Sequence, residues 1–131
     1  MVETVPESKH LASNYLRKAA ENDEFMKKAL QEGVWNTACL LAVHCVISSA
    51  DALSVHHFGR RCKSQRPQDA VQLIQQIPLP ESQENGRRFL KVLDLKNKVE
   101  YQNDLVPEKQ ARQISEQAER FYQWVKSQMP K

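Results

Sequence analysis

The feature that most constrains this chain is an uncharged stretch, because the residues from Val34 to Ala50 include no Lys, Arg, Asp or Glu. The stretch contains polar residues, among them Asn36 and His44, and it is shorter than the roughly 20 apolar residues that a membrane-spanning helix requires. A buried helix in the core of a soluble protein is therefore the better interpretation. An acidic residue, Asp51, follows the stretch directly, and a basic segment comes soon after it.

The length and composition of the chain predict one small globular domain. With 131 residues, of which 40% are hydrophobic and 27% charged, the chain is long enough to bury a core and is typical of a soluble protein. We expect a single domain over residues 8–129, preceded by an N-terminal tail at residues 1–7. The net charge of +3 is too small to predict attraction of the whole molecule to nucleic acid, so any such contact must come from a local cluster of basic side chains.

The cysteines and the N-terminal segment favour a cytoplasmic protein. The three cysteines are odd in number and two of them fall in the apolar stretch, which is typical of reduced, buried thiols rather than of a disulfide framework. Residues 1–6 lack the apolar segment of a signal peptide. Adjacent histidines on a helix, His56 and His57, diverge, and no metal-binding spacing of Cys or His occurs, so we expect neither a metal site nor a cofactor.

Helical spacing of apolar residues predicts an all-α protein, an up-and-down antiparallel bundle of four long helices and one short helix. Gly33 and Gly59 are expected to end the first two helices, because the position after a helix often adopts a positive φ angle. No alternating β-branched run predicts a strand. The expected helices cover residues 8–32, residues 34–58, a short segment from Pro67 to before Pro78, residues 82–101, and a last helix from Pro107 with the apolar stripe Ala111, Ile114, Ala118, Phe121 and Val125.

Three charged residues fall on helix faces that the spacing predicts to be apolar. Asp51 shares a face of the second helix with Leu40, His44, Ile47, Val55 and Phe58, and Lys96 and Glu100 occupy such a face of the fourth helix. A buried, unpaired charge costs several kcal/mol, so we expect these three residues to meet, with Lys96 between the two carboxylates. Three interpretations stay open: a structural polar network, a ligand site, or exposure of a face whose rotation is assigned wrongly.

A basic segment follows the second helix. Arg60, Arg61, Lys63 and Arg66 lie in a stretch without acidic residues, which favours contact with the phosphates of a nucleotide or RNA. The alternative is an ordinary solvated loop. The predicted ligand-binding residues are Asp51, Arg60, Arg61, Lys63, Lys96 and Glu100.

Several short motifs resemble the HEPN superfamily, in particular a prokaryotic branch of unknown function. The resembling pieces are Ala50-Asp-Ala-Leu53, Gly59-Arg60, Asp69-Ala70-Val71, Leu95-Lys-Asn-Lys-Val-Glu-Tyr101, and the late residues Ala118, Arg120, Phe121 and Trp124. The resemblance implies a helical bundle, a homodimer and, in many members, a nucleotidyltransferase-like protein partner. It also implies a known activity, metal-independent RNA cleavage by an Arg and a His on the late helix.

The chain departs from that catalytic pattern. Lys96 stands where the Arg is expected, Glu100 and Tyr101 stand in the region of the His, and no His follows His57. We therefore predict a non-catalytic module that binds a nucleotide, RNA or a protein partner. The alternatives are a toxin-type RNase that uses Lys96, Glu100 and Tyr101, and a purely structural homodimer.

Overall fold

Six α-helices and two short strands make up the described part of the chain. The computed structural model describes residues 2–101 and 103–130, except for the side chains of Asn97, Glu100 and Tyr101. The helices are α1 (Ala12–Gln31), α2 (Trp35–Phe58), α3 (Pro67–Gln75), α4 (Ser82–Leu93), α5 (Lys96–Tyr101) and α6 (Glu108–Gln128), and the strands are β1 (Thr4–Pro6) and β2 (Arg60–Cys62). A short 3-10 turn, Lys9–Leu11, precedes α1.

The first two long helices form an antiparallel hairpin. Gly33 has a φ angle of 72°, and the backbone N–H of Val34 donates to the Ala29 carbonyl at 2.9 Å, so the chain reverses within one turn. Further along, the Cys45 thiol contacts the Ala19 carbonyl at 3.5 Å. Because positions on α1 decrease as positions on α2 increase, the two helices run in opposite directions.

The last helix completes an up-and-down bundle. Val106, just before α6, donates its N–H to the Asn36 side chain at 2.7 Å, which places the start of α6 beside the start of α2. At the other end, the Phe121 ring stacks on Phe89 of α4 with centroids 5.0 Å apart, while Leu95 packs near Ala111. Helix α6 therefore runs parallel to α2 and antiparallel to α4. The predicted all-α, up-and-down helical bundle is confirmed.

Helix α2 is the central helix. It is long and apolar enough to cross a membrane by length and composition, but 67% of its most apolar window is buried within the bundle, as a core helix requires. Its side chains contribute to all three clusters of the core. Gly59 ends it with a φ angle of 68°, and its N–H donates to the Val55 carbonyl, so both predicted glycine stops are confirmed.

The absence of strands was predicted wrongly. Strands β1 and β2 pair antiparallel, with Thr4 opposite Cys62 and Pro6 opposite Arg60. The N–H of Lys63 also donates to the Glu3 carbonyl at 3.0 Å. Strands of three residues are too short to show an alternating pattern in the sequence. The segment expected to be a tail, residues 1–7, thus contains a paired strand.

The fourth predicted helix is interrupted. Helix α4 ends at Leu93, and after Asp94 and Leu95 the chain resumes as α5. The N–H of Leu95 bonds to the Val92 carbonyl at 3.1 Å, a tighter turn than that of an α-helix, and the Leu95 side chain is buried beside Cys39. Lys96 is consequently the first residue of a short helix rather than part of a long one.

Candidate ligand-binding cavity

Four of the six predicted ligand-binding residues line one cavity of about 180 Å³. The cavity lies between α2, β2, the loop before α3, and helices α3 and α4, with the start of α5 at its edge. Its apolar lining comprises Ile47, Ala50, Pro67, Ala70, Leu73, Phe89 and Leu93. Its polar lining comprises Asp51, Ser54, Arg61, Cys62, Lys63, Ser64, Gln65, Arg66 and Lys96.

Asp51 lies at the boundary of the core rather than in its centre. The helix face on which it was predicted is only partly buried, since Leu40 and Ile47 are half-buried and His44 is exposed. The fully buried face is rotated by about one residue and carries Cys39, Val43, Val46 and Leu53. Because α2 is apolar on most sides, its sequence gives little information about rotation.

The partly buried position of the Asp51 carboxyl disfavours its ionised form. Burial raises its pKa to about 6, the Arg61 guanidinium opposes that rise, and the Glu7 carboxylate adds to it. Among the side chains that the structure describes, none donates a hydrogen bond that lowers this pKa. Asp51 is thus an acidic group on a cavity wall, available to a donor from outside the protein.

The cationic side chains lie around the same cavity without neutralising Asp51. Lys96 and Asp51 both line it, but no ion pair joins them, and Arg61 is the described cavity-lining cation whose charge lowers the pKa of Asp51. The expected third member, Glu100, has its side chain outside the described residues, as does the RNase candidate Tyr101. Of the three residues expected to meet, Asp51 and Lys96 line the same cavity without an ion pair between them, and Glu100 stays a prediction.

Arg60 belongs to a different environment from Arg61. Its guanidinium donates to the Thr4 carbonyl at 3.2 Å and to the Thr4 hydroxyl, so it fastens β2 to β1. It does not line the cavity within the described part of the chain. Two neighbouring arginines of equal charge thus differ in position, which provides a matched pair for mutagenesis.

Glu7 and Tyr15 also contribute to the surroundings of Arg61, and no sequence pattern predicted them. The Glu7 carboxylate lies 3.7 Å from Nε of Arg61 and accepts a hydrogen bond from the Tyr15 hydroxyl. The Glu7 N–H donates to the Gly59 carbonyl at 2.9 Å, which fixes this segment against the end of α2. Burial, together with Glu7, raises the pKa of Tyr15 to about 12. A residue in a segment taken for a tail gives no local signal of such a long-range contact.

The loop between β2 and α3 has a defined conformation. The Ser64 hydroxyl donates to the Asp69 carboxylate at 2.7 Å and accepts from the Arg66 N–H at 3.0 Å. Pro67 then begins α3, as predicted. Lys63, Ser64, Gln65 and Arg66 of this loop all line the cavity.

Comparison with known protein families gives one match across nearly the whole described chain. The family described as HEPN domain matches residues 12–128. A comparison with curated proteins finds no match. The matched segment includes α1 to α6 and the cavity, but it leaves out strand β1 and Glu7.

Proposed function

Because this chain belongs to the HEPN domain family, which has nucleotide- and RNA-related roles, we propose that its cavity binds the phosphate group of a nucleotide or of RNA without cleaving it. The family match supports the general class of ligand. The choice of the cavity as the binding site rests on its own side chains.

The observation that carries the proposal is the imbalance of charge around the cavity. Four cationic residues line it, Arg61, Lys63, Arg66 and Lys96, against the single acid Asp51 among the described lining residues. Glu7, outside the lining, lies 3.7 Å from Nε of Arg61 and offsets one of these charges in part. The molecule as a whole has a net charge of only +3, so this cluster is a strong local concentration. Such a cluster attracts phosphate, and the guanidinium groups can form two parallel hydrogen bonds to it.

Binding without cleavage is the form of the proposal that these side chains support. Lys and Arg hold phosphate, whereas cleavage also requires an acid or base positioned at the reacting oxygen. We assign Asp51, the one acid among the described lining residues, to ligand binding rather than to proton transfer. The alternative, a toxin-type RNase, depends on Glu100 and Tyr101. Lys96, the third candidate of that alternative, lines the cavity and is equally suited to binding alone.

The test compares Arg61→Ala with Arg60→Ala. Affinities for a nucleotide and for a fluorescently labelled single-stranded RNA are measured over a range of salt concentrations, and the RNA is then checked on a gel. Loss of one charge-assisted bond should weaken binding about tenfold or more in the Arg61 variant. It should also lower the dependence on log salt by roughly 0.7 for RNA. Arg60→Ala removes the same charge away from the cavity and should have a much smaller effect.

Three outcomes contradict the proposal. Equal losses in the two variants would indicate general attraction to a basic surface instead of a site. Affinity that does not depend on salt would exclude phosphate as the recognised group. Shortened RNA with the wild-type protein would establish cleavage and direct mutagenesis to Glu100.

A further inference from the structure

The size of the cavity limits what can enter it. A cavity of about 150 Å³ accommodates a benzene ring, and the cavity here measures about 180 Å³. The cavity is thus in the size range of a single base, and the sugar and phosphate of a nucleotide would extend beyond it. The cationic lining residues Arg61, Lys63 and Lys96, called the cationic edge below, are the side chains that can contact this phosphate.

The walls of the cavity suit a flat aromatic ring. Leu73, Phe89 and Leu93 are buried apolar side chains that line it, and the half-buried Ile47 of α2 also belongs to the lining. The Phe89 ring is held in place from behind by its stack on Phe121. Apolar surface of this kind favours a base over a sugar in the interior.

The polar groups on α2 select among bases. Asp51 and Ser54 are three residues apart on the helix, so both present their side chains to the same cavity. A carboxylate only accepts hydrogen bonds, and its two oxygens match two adjacent N–H donors. Guanine offers such a pair, at N1 and N2, next to an O6 acceptor that a serine hydroxyl can reach. Adenine, cytosine and uracil do not present two adjacent donor atoms on that edge.

We propose that the cavity is selective for guanine nucleotides, with the base held by Asp51 and Ser54 and the phosphate at the cationic edge. This inference rests on the proposed phosphate-binding function and adds a base preference to it. Asp51 is thereby the specificity-determining residue. Its carboxylate, the one acidic group among the described lining residues, accepts hydrogen bonds from the base.

The experiment measures the affinities of pyrophosphate, GMP, IMP and AMP for the wild-type protein and for Asp51→Asn at neutral pH. IMP keeps the N1–H donor of GMP but lacks the N2 amino group. We expect GMP to bind about tenfold or more tightly than AMP, with IMP between them, because a matched pair of hydrogen bonds discriminates by about that factor. In Asp51→Asn the preference for GMP should disappear while pyrophosphate binds as well as before or better, since a negative charge is removed.

Asp94→Asn is the matched control, because Asp94 is exposed close to Lys96 and lies outside the cavity lining. It should leave the order of affinities unchanged. If pyrophosphate binds but GMP and AMP bind equally, the base preference is wrong and the phosphate site remains. If none of the four binds, both proposals fail. A preference for GMP that survives in Asp51→Asn would also overturn the role of Asp51.

Discussion

Asp51, the residue proposed to contact the base, is costly for folding. It is half-buried at the edge of the core, and burial raises its pKa to about 6. A carboxyl group whose pKa rises on folding stabilises the folded state fully below the unfolded pKa, and this contribution is lost as pH rises through the folded pKa. At neutral pH the ionised Asp51 therefore opposes folding.

The substitution Asp51→Asn should accordingly stabilise the protein at neutral pH. The shift from 3.8 to about 6 corresponds to about 3 kcal/mol, which is an upper bound because water reaches part of the carboxyl group. The gain in free energy of unfolding should shrink as pH falls from about 6 and disappear below about 4, where Asp51 is protonated in both the folded and the unfolded state.

Urea unfolding of the variant and the wild type at a series of pH values measures this gain. A gain that is constant over the range would contradict the raised pKa of Asp51. Asp94→Asn is the control for the loss of an acidic group in general.

At the scale of elements, the contact between α3 and α4 explains a glycine that is unfavourable for a helix. Gly86 lies within α4, and a Cβ atom there would come within 2.5 Å of Cγ of Gln75 on α3. Gln75 and Gln83 also exchange hydrogen bonds between these helices, with each amide donating to the other residue's carbonyl. Since Leu73 and Phe89 line the cavity from α3 and α4, this close approach sets the separation of two cavity walls.

Gly86→Ala should therefore destabilise the protein, although alanine favours a helix over glycine by about 1 kcal/mol. The clash with Gln75 should cost about 1–3 kcal/mol, which exceeds that gain over most of its range. Chemical denaturation of the variant and the wild type measures the sign of the change in free energy of unfolding. Adding Gln75→Ala removes the clashing atoms and should recover most of the loss. A single Gly86→Ala variant as stable as the wild type would indicate that the Gln75 side chain moves aside at a cost no larger than the gain in helix propensity.

The sequence predicted what depends on local chemistry. Gly33 and Gly59 marked helix ends because few other residues accept a positive φ angle, and Pro67 marked the start of α3. The break at Asp94 and Leu95 carries neither glycine nor proline, so it depends on burial of Leu95 against Cys39, a contact that only the assembled bundle provides. The sequence singled out Asp51 as a charge on a predicted apolar face, but it did not predict the rotation of α2 or the cavity that Asp51 lines.

At the scale of the whole molecule, stability is distributed unevenly. The bundle core is continuous and includes Val46, Leu53, Phe89 and Phe121, whereas β1 and β2 pair over only three residues each. Segments with few buried apolar contacts open locally at low free energy. The homodimer, the nucleotidyltransferase-like partner and the cytoplasmic location stay predictions from the sequence.

Native-state hydrogen exchange should separate these two parts of the molecule. The Lys63 and Glu7 amides, which bond across to the opposite segment, should exchange far faster than the amide of Val46 in α2. A ligand at the cationic edge should slow exchange at Lys63 and Glu7, because it stabilises the arrangement of Arg61. Exchange at Lys63 that is as slow as at Val46, with or without ligand, would show that the strand pair unfolds only together with the bundle.

The pairing of β1 with β2 also has a consequence for synthesis. The contact between Thr4 and Arg60 spans 56 positions, so β1 can pair with β2 only after the whole α1–α2 hairpin has been made. Phe121, which stacks on the cavity-lining residue Phe89, belongs to α6, which follows the other described helices along the chain. During synthesis, therefore, the cavity is complete only after α6 has joined the helices made before it.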